Sequence, residues 1–562
     1  MKYFICFIIL ISIIINFSLL EDSLPYRNVL YYADWSIYTG QRNFYPSQID
    51  ANLISHLIFA YLDMDSNGDL VLFDEFADIQ IVTLPELEDG IKYGEPYGGV
   101  LGAIAILKVK HPHLKIGISV GGITNYRNFS EVVRDKVKRQ NFANSIAKFI
   151  NHLGYDFVDI GYPKTIEEED PNYAENFILL LKEVRNELNA FEKNGIRYEL
   201  SVTMPISPIM MDKIEIDKVL QVVSFMNMMT YDLNGDWNSY TGHHTPLYTN
   251  EAYNPDTMPE AQFSVDSVIS YLENTYGNTI DLTKIIVGVA PYTRGWAGVK
   301  DDGLDNDNPG LYATANLNSV KSADGTISGI YGFHELSTLK KQYDLIEYFD
   351  NTAKAAYYYS PNNGYFFSFD NEESVAAKGK YVKEKKLGGL VSWMASYDPE
   401  NIIIRAMFNS LYEKDYEFPE RNLIYNLISI SCTIKATENG YTIRIQNNGM
   451  IDETNYALIK AELFRIYILN LKIFITSKSG AIFSEGPMSG TVINKNGEAI
   501  IDPSSYPESR VILPYWNGYT FSVTVSGTPN VDDIETISVS QRILPSLKEF
   551  KKRVVYDRRY MR

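Results

Sequence analysis

The chain of 562 residues is 45% hydrophobic and 22% charged, which is typical of globular proteins and excludes collagen, long disordered tracts and a polytopic membrane protein. Its 51 Lys and Arg residues stand against 70 Asp and Glu residues, giving a formal charge of −19. Such an acidic surface repels phosphate backbones, so nucleic acid is not expected as a partner. The two cysteines, Cys6 and Cys432, cannot build a disulfide framework or a cysteine-ligated zinc site.

Residues 1–22 have the pattern of an export segment. Lys2 precedes an apolar run from Tyr3 to Leu20, which Glu21 and Asp22 close. A basic start followed by an apolar run predicts a signal peptide and a secreted protein. The run is about 18 residues long and no small-residue cleavage site follows it, so a retained membrane anchor at the cell surface is the alternative.

From residue 27 to about 412, short β-rich runs alternate with amphipathic helical patterns. This alternation predicts an α/β fold, a (β/α)8 TIM barrel. A doubly wound sheet is the rival, but no glycine-rich phosphate loop follows the first strand. The predicted strands are Asn28–Tyr32, Leu57–Tyr61, Lys115–Val120, Phe157–Ile160, Glu199–Met204, Val222–Met229, Ile285–Ala290 and Gly389–Trp393. The predicted helices are Gly99–Lys110, Lys136–Leu153, Tyr173–Asn194, Ala261–Tyr276, Asn371–Lys386 and Pro399–Tyr412.

Two further regions interrupt or follow the barrel pattern. Residues 295–370 are rich in Tyr, Gly and Asn and contain the strand-like runs Ala355–Ser360 and Tyr365–Phe369, which predict an inserted α+β subdomain between strands seven and eight. Residues 418–547 predict a C-terminal β-sandwich-like domain. Its predicted strands are Tyr441–Asn447, Ala461–Ile468, Lys472–Ser477, Ser509–Leu513 and Thr520–Ser526. Residues 548–562 form a basic tail, which is typical of a solvated chain end.

Six sequence stretches between the third and the eighth predicted strand carry a resemblance to a known family. The third strand reads Lys115-Ile-Gly-Ile-Ser-Val-Gly-Gly122, and the sixth strand and its loop read Met229-Thr-Tyr-Asp-Leu233 and Gly242-His-His-Thr-Pro-Leu-Tyr248. Pro291-Tyr-Thr-Arg-Gly-Trp296 and Gly388-Gly-Leu-Val-Ser-Trp393 follow at strands seven and eight, and the fourth strand reads Gly154-Tyr-Asp-Phe-Val-Asp-Ile-Gly-Tyr-Pro163. Together they resemble glycoside hydrolase family 18, the chitinases, over roughly residues 27–412.

The fourth strand departs from the family motif D-x-x-D-x-D-x-E-Y-P. Side chains alternate between faces along a strand, so the second Asp, the third Asp and the Glu of the motif share the inner face. Asp159 keeps the first of these places. In an ungapped alignment, Gly161 and Pro163 occupy the places of the third Asp and the Glu. If Tyr162-Pro163 is aligned with Y-P instead, the single Gly161 stands in place of the three residues from the third Asp to the Glu. Both alignments lose the acid.

The resemblance implies substrate-assisted hydrolysis, in which the N-acetyl oxygen of the sugar attacks the anomeric carbon and the Glu protonates the leaving oxygen. In the family an inner Asp orients the acetamide and the counterpart of Tyr231 donates to its carbonyl, and the catalytic positions that remain here are Asp159 and Tyr231. General acid catalysis contributes about 10²–10⁴-fold, so its loss is severe. Glu167, Glu168 and Glu169 follow on the next loop, but a mobile, solvated loop gives a carboxyl no reason for a raised pKa.

The sugar-binding positions are better preserved. Residues at the C-terminal ends of barrel strands form the site in this fold, although inward Tyr and Trp side chains also simply fill barrels. Trp393 would form the floor under the sugar ring, while Ile123 stands where chitinases often carry Trp. The candidate substrate-binding residues are Tyr31, Tyr61, Met229, Tyr231, Asp232, Trp237, Tyr292, Arg294 and Trp393.

Two other motifs mimic metal sites. Residues 63–74 partly match a calcium loop, but they lack its bidentate Glu and flanking helices, and Ser66-Asn-Gly-Asp69 favours a hairpin turn. His243 and His244 have no third ligand at useful spacing, which favours structural hydrogen bonding. No metal or cofactor is therefore expected.

The sequence thus favours an exported, monomeric chitinase-like protein that binds chitin or other N-acetylglucosamine-containing glycans and has lost or strongly impaired hydrolysis. One alternative is an active chitinase in which another carboxylate replaces the acid, or whose coding sequence is misassembled at Gly161. The other is an inert secreted scaffold or surface protein, whose C-terminal domain makes the contacts.

Overall fold

The computed structural model describes the side chains of most of the barrel and the backbone of a few C-terminal strands. The described residues are 24–39, 42–81, 84, 99–111, 113–121, 126–153, 155–162, 172–192, 197–204, 206, 211–322, 325, 329–419 and seven strands between 430 and 545. The predicted export segment, Pro163, the three loop glutamates, Ile123 and the basic tail lie outside them. Among the described residues, no helix is long and apolar enough to cross a membrane.

Eight parallel strands close into a barrel. Each pairs with its neighbours in chain order, and the first strand pairs with both the second and the eighth, which closes the ring (Val29 opposite His56 and Val391). A short antiparallel strand, Leu70–Leu72, extends the second strand as a hairpin. The barrel strands are Arg27–Ala33, His56–Met64, Lys115–Gly121, Phe157–Gly161, Glu199–Met204, Phe225–Met228, Ile285–Val289 and Gly389–Ser392. The predicted TIM barrel is confirmed.

Helices pack around the barrel and bury the outward faces of the strands, as the apolar strand sequences predict. Nine α-helices lie in the described residues: Gly99–Lys110, Tyr126–Arg134, Lys136–Leu153, Tyr173–Phe191, Ile216–Val222, Val265–Tyr276, Leu336–Gln342, Glu372–Lys385 and Ile402–Leu411. Short 3-10 turns are Asp34–Ile37, Pro46–Gln48, Ala51–Leu53, Pro259–Gln262, Gly277–Thr279, Leu282–Lys284, Phe333–Glu335 and Ala395–Tyr397, and Phe76–Gln80 forms a π-helical turn.

One predicted strand begins too early. Val222 is the last residue of the helix Ile216–Val222, and the sixth barrel strand begins only at Phe225. The apolar run Val222–Met229 contains both the end of a helix and a buried strand, and a short apolar run cannot be divided by its periodicity.

The insertion between strands seven and eight is an α+β unit, as predicted. Its antiparallel sheet has the order Ile346–Asp350, Ala355–Ser360, Tyr365–Phe369 and Arg294–Ala297. The helix Leu336–Gln342 packs on it, and buried aromatic side chains fill its core. Since Arg294 lies on the strand that joins this sheet to the barrel, the insertion holds part of the barrel's C-terminal rim.

Beyond residue 418 the described backbone forms two antiparallel sheets. One has the order Ile430–Ala436, Gly440–Asn447, Tyr519–Thr524, and the other Val492–Ile493, Ala499–Ile501, Ile466–Ser477, Ile534–Pro545. The two strands predicted within residues 461–477 are one longer strand, whereas the predicted strand Ser509–Leu513 lies outside the described residues. Packing of these sheets as a sandwich stays a prediction.

Candidate active site

A cavity of about 390 Å³ opens at the C-terminal ends of the barrel strands, where enzymes of this fold hold their substrates. Seven of the predicted site residues line it together: Tyr31, Tyr61, Met229, Tyr231, Asp232, Tyr292 and Trp393. The structure adds Trp35, Ser119, Gly161, Tyr162 and Thr203 to the lining. Asp159 lies beneath the cavity, and Trp237 and Arg294 lie beside Asp232 at its rim.

Four aromatic rings at the C-terminal ends of strands one, two and eight, or just beyond them, form one wall. Trp393 lies parallel to Tyr61 (5.9 Å between ring centroids, 24° between planes) and contacts Tyr31 at 5.3 Å. The Trp35 ring contacts both, with its centroid 5.8 Å from that of Tyr61 and 6.4 Å from that of Trp393. Trp35 was missed in the sequence, although its position directly after the first strand is the signal that could have found it. Such a wall offers flat apolar faces on which a sugar ring can stack.

Asp159 is fully buried and surrounded by hydroxyl donors. Ser201 donates to its Oδ1 from 2.7 Å, while Tyr31, Ser119 and Thr203 lie 2.8–2.9 Å from its Oδ2. Burial raises the pKa of Asp159, and these four hydrogen bonds oppose the rise. A carboxyl group held in this way is a fixed structural centre, and its oxygens are committed to the protein.

Gly161 occupies the next inward position on the fourth strand. It pairs with Gly121 on one side and Thr203 on the other, one step above Asp159 in the barrel. Tyr162 borders the cavity, but its ring packs on the outer side of the strand, against Tyr173 at 5.4 Å and Phe177 at 5.2 Å. The strand therefore continues without a bulge, and the inward place that follows Asp159 carries no side chain.

Asp232 forms a bidentate ion pair with Arg294. Arg294 Nε and Nη2 each lie 2.7 Å from its carboxylate, and the Tyr292 hydroxyl donates from 2.8 Å. Burial would raise the pKa of Asp232, but the charge of the Arg294 guanidinium and its two hydrogen bonds hold that pKa well below its ordinary value. The Arg294 guanidinium also lies 5.1 Å above the Trp237 ring, whose side chain is 45% exposed.

Tyr231 supplies a neutral hydroxyl to the cavity. Its ring meets Tyr292 edge-on at 6.2 Å, and burial raises its pKa well above 10.0, so the hydroxyl keeps its proton. No described residue forms a hydrogen bond with this hydroxyl. Tyr231 can therefore donate to a ligand that enters the cavity.

Neither of the two carboxyl groups described at the cavity is suited to act as a general acid. Asp232 is the one carboxylate among its described lining residues, and it stays ionised beside Arg294. Asp159 lies below, committed to four hydroxyls. A general acid must reach the leaving oxygen and carry a proton at working pH, and neither group meets both conditions.

The motifs that mimic metal sites have structural roles. Asp65 accepts from the backbone N–H groups of Asn67 (2.8 Å) and Asp69 (3.0 Å), which makes the segment the hairpin turn favoured by its sequence. His243 hydrogen-bonds Asp350 at 3.0 Å, and His244 Nε2 lies 3.1 Å from the Tyr292 carbonyl. Among the described residues, no group of three or more His, Cys, Asp or Glu side chains could hold a metal ion.

Comparison with known proteins identifies this barrel. The family model of glycosyl hydrolases family 18 matches residues 27–398, two thirds of the chain. The chain belongs to this family. Chitinase A1 from Niallia circulans is 28% identical over 440 residues, which cover 71% of this chain and 61% of that protein. Chitinase 1 from Aphanocladium album is 27% identical over 376 residues, covering 66% and 81%.

Solved structures agree on the fold. Chitinase ChiA74 from Bacillus thuringiensis superposes with a TM-score of 0.61 at 21% identity, covering 92% of this chain and 100% of that one. The catalytic domain of the psychrophilic chitinase B from Arthrobacter TAD20 gives a TM-score of 0.58 at 25% identity, covering 70% and 98%. The family 18 relationship inferred from the motifs is thus confirmed.

Proposed function

We propose that this family 18 protein binds N-acetylglucosamine oligomers of chitin in its barrel cavity and that its hydrolytic activity is lost or strongly impaired. The observation that carries the proposal is Gly161, which holds an inward strand position where the family motif has a carboxylate. The family relationship supports the substrate class, because its curated relatives are named chitinases.

Binding is supported by the preserved wall and polar groups of the cavity. A sugar ring could stack on Trp393, next to Tyr61 and Trp35. Tyr231 offers a donor for an acetamide carbonyl, and Asp232 can accept from sugar hydroxyls while Arg294 holds it in place. Aromatic anchors surrounded by a few fixed polar groups are the usual source of affinity in such clefts.

Impaired hydrolysis follows from the state of the carboxyl groups. Departure of a sugar alkoxide requires a proton, and a positioned general acid contributes about 10²–10⁴-fold to such steps. Asp159 and Asp232 are both occupied by internal partners. The substrate's own acetamide can still attack, but without proton delivery the glycosidic bond is expected to persist.

The two alternatives are separable from this proposal. Titration with chitotetraose distinguishes a binding protein from an inert scaffold, and a fluorogenic chitobioside distinguishes it from an active chitinase. We expect saturable binding and turnover at least 10²-fold below that of a chitinase with its acid in place. The N-terminal pattern supports secretion, and labelling intact cells against their culture medium separates release from surface anchoring.

A further inference from the structure

Thr203 is the side chain that stands beside the missing carboxylate. It is the register partner of Gly161 on the fifth barrel strand, while the partner on the other side is another glycine, Gly121. At this level of the barrel, Thr203 therefore supplies the polar group next to the empty inward position. It is half-buried and lines the cavity together with Tyr231.

The hydrogen bonds of Thr203 define what it can offer a ligand. Its Oγ1 lies 2.9 Å from Asp159 Oδ2 and 2.6 Å from the Tyr31 hydroxyl. A hydroxyl has one hydrogen and two acceptor lone pairs. The Tyr31 hydroxyl gives its single hydrogen either to Asp159 or to Thr203, and the Thr203 hydrogen correspondingly goes to Tyr31 or to Asp159. In both arrangements the Thr203 hydrogen is used inside the protein and at least one lone pair remains for the cavity. Toward a ligand, Thr203 is then an acceptor.

A hydrogen-bond donor and an acceptor that line the same cavity can bind the carbonyl and the N–H group of one secondary amide. The Tyr231 hydroxyl can donate to a carbonyl oxygen, and Thr203 can accept from an N–H group. A sugar hydroxyl could use either group, but the acetamido group of N-acetylglucosamine presents both functions in a fixed plane. The pair therefore favours N-acetylated sugars over sugars that carry a hydroxyl at the same carbon.

We infer that Thr203 is a specificity-determining residue that accepts the acetamido N–H in place of an inner carboxylate. This rests on the proposed binding of N-acetylglucosamine oligomers. A neutral hydroxyl can orient the acetamide, but it cannot stabilise the positive charge that develops on the acetamido nitrogen as its oxygen attacks the anomeric carbon. Thr203 therefore retains recognition of the N-acetyl group without supporting its activation.

The test compares matched variants by calorimetric titration with chitotetraose and with cellotetraose, which has hydroxyls in place of the acetamides. Thr203→Val should weaken chitotetraose binding about 3- to 10-fold, the value of one hydrogen bond, and weaken cellotetraose binding less, so that the preference for chitotetraose falls. Thr203→Ser, which keeps the hydroxyl, should restore the preference. Thr203→Ala provides the same readout if the valine variant does not fold.

Ser201→Ala is the matched control, because Ser201 also donates to Asp159, from 2.7 Å, but does not line the cavity. It should keep the preference for chitotetraose. An equal loss in this variant would mean that Thr203 acts only through Asp159, which overturns the inference. An unchanged preference in Thr203→Val overturns it as well, while the proposed function stands. If the unaltered protein binds neither sugar, the proposed function fails and the role of Thr203 fails with it.

Discussion

Replacing Gly161 by Asp-Trp-Glu should restore cleavage. The exchange adds two residues, and since the side-chain period of a strand is 2, Tyr162 and the residues after it keep their faces. The new Asp would enter at the level of Thr203 and Gly121, its two register partners, neither of which carries a carboxylate. The new Glu would point inward one step higher, toward the leaving oxygen of a sugar stacked on Trp393.

The expected gain is at least ~10², the low end of what a general acid contributes, or ~2.7 kcal/mol of barrier. The low end applies because Thr203 already engages Asp159 and the new Asp must compete with it. The assay is release of the fluorophore from a chitobioside. An insertion of Asp-Trp-Gln, which keeps the shape and removes the proton, should abolish the gain. A well-folded insertion variant that stays inert would refute the reasoning, because the cavity itself would then be unable to seat the substrate.

Three further predictions concern binding and stability. Trp393→Ala should weaken chitotetraose binding more than tenfold, ~1.4 kcal/mol, by calorimetry, because the ring faces the cavity as a stacking platform. Arg294→Met removes the partner of Asp232 and should lower the free energy of unfolding, measured in urea, by about 1–2 kcal/mol. The loss is moderate because the Asp232 side chain is 36% exposed, so that water screens its unpaired charge. Burial lowers the pKa of His56 from 6.5 to about 4. Between these pH values the unfolded state therefore binds more protons than the folded state, and the free energy of unfolding should fall by about 2–3 kcal/mol from pH 7 to pH 4.5.

Unchanged affinity in a folded Trp393→Ala protein would move the sugar site to the C-terminal region. Arg294→Lys should recover only part of the stability, because an ammonium group cannot make both bonds of the guanidinium. A His56→Gln variant with the same loss of stability between pH 7 and pH 4.5 would show that the titrating group is another one.

The sequence predicts the barrel well because its strands are buried on both faces and appear as uninterrupted apolar runs. The helices Gly99–Lys110 and Lys136–Leu153 match their predicted bounds. The helix Ile216–Val222 was missed, because its residues run without a break signal into the strand Phe225–Met228. Local pattern alone cannot place such a boundary.

The site could be predicted where a residue follows a strand in a recognisable motif, as Tyr231, Asp232 and Trp393 do. Thr203 could not, because its importance depends on its register with Gly161, and register is a property of two strands. The sequence left two alignments open around Gly161. The structure places Gly161 inward at the end of the strand and packs the Tyr162 ring on the outer side, and both alignments share this arrangement because they differ by two residues.

We propose that the cavity holds a chitin oligomer without cleaving it. The most direct measurement incubates the unaltered protein with chitotetraose, determines the bound stoichiometry by calorimetry, and then analyses the same sample by mass spectrometry. The account predicts one intact tetrasaccharide bound per barrel and no accumulation of shorter oligomers over many hours. Saturable binding accompanied by disaccharide at ordinary chitinase rates would contradict it, and would require a proton donor at the cavity other than Asp159 and Asp232.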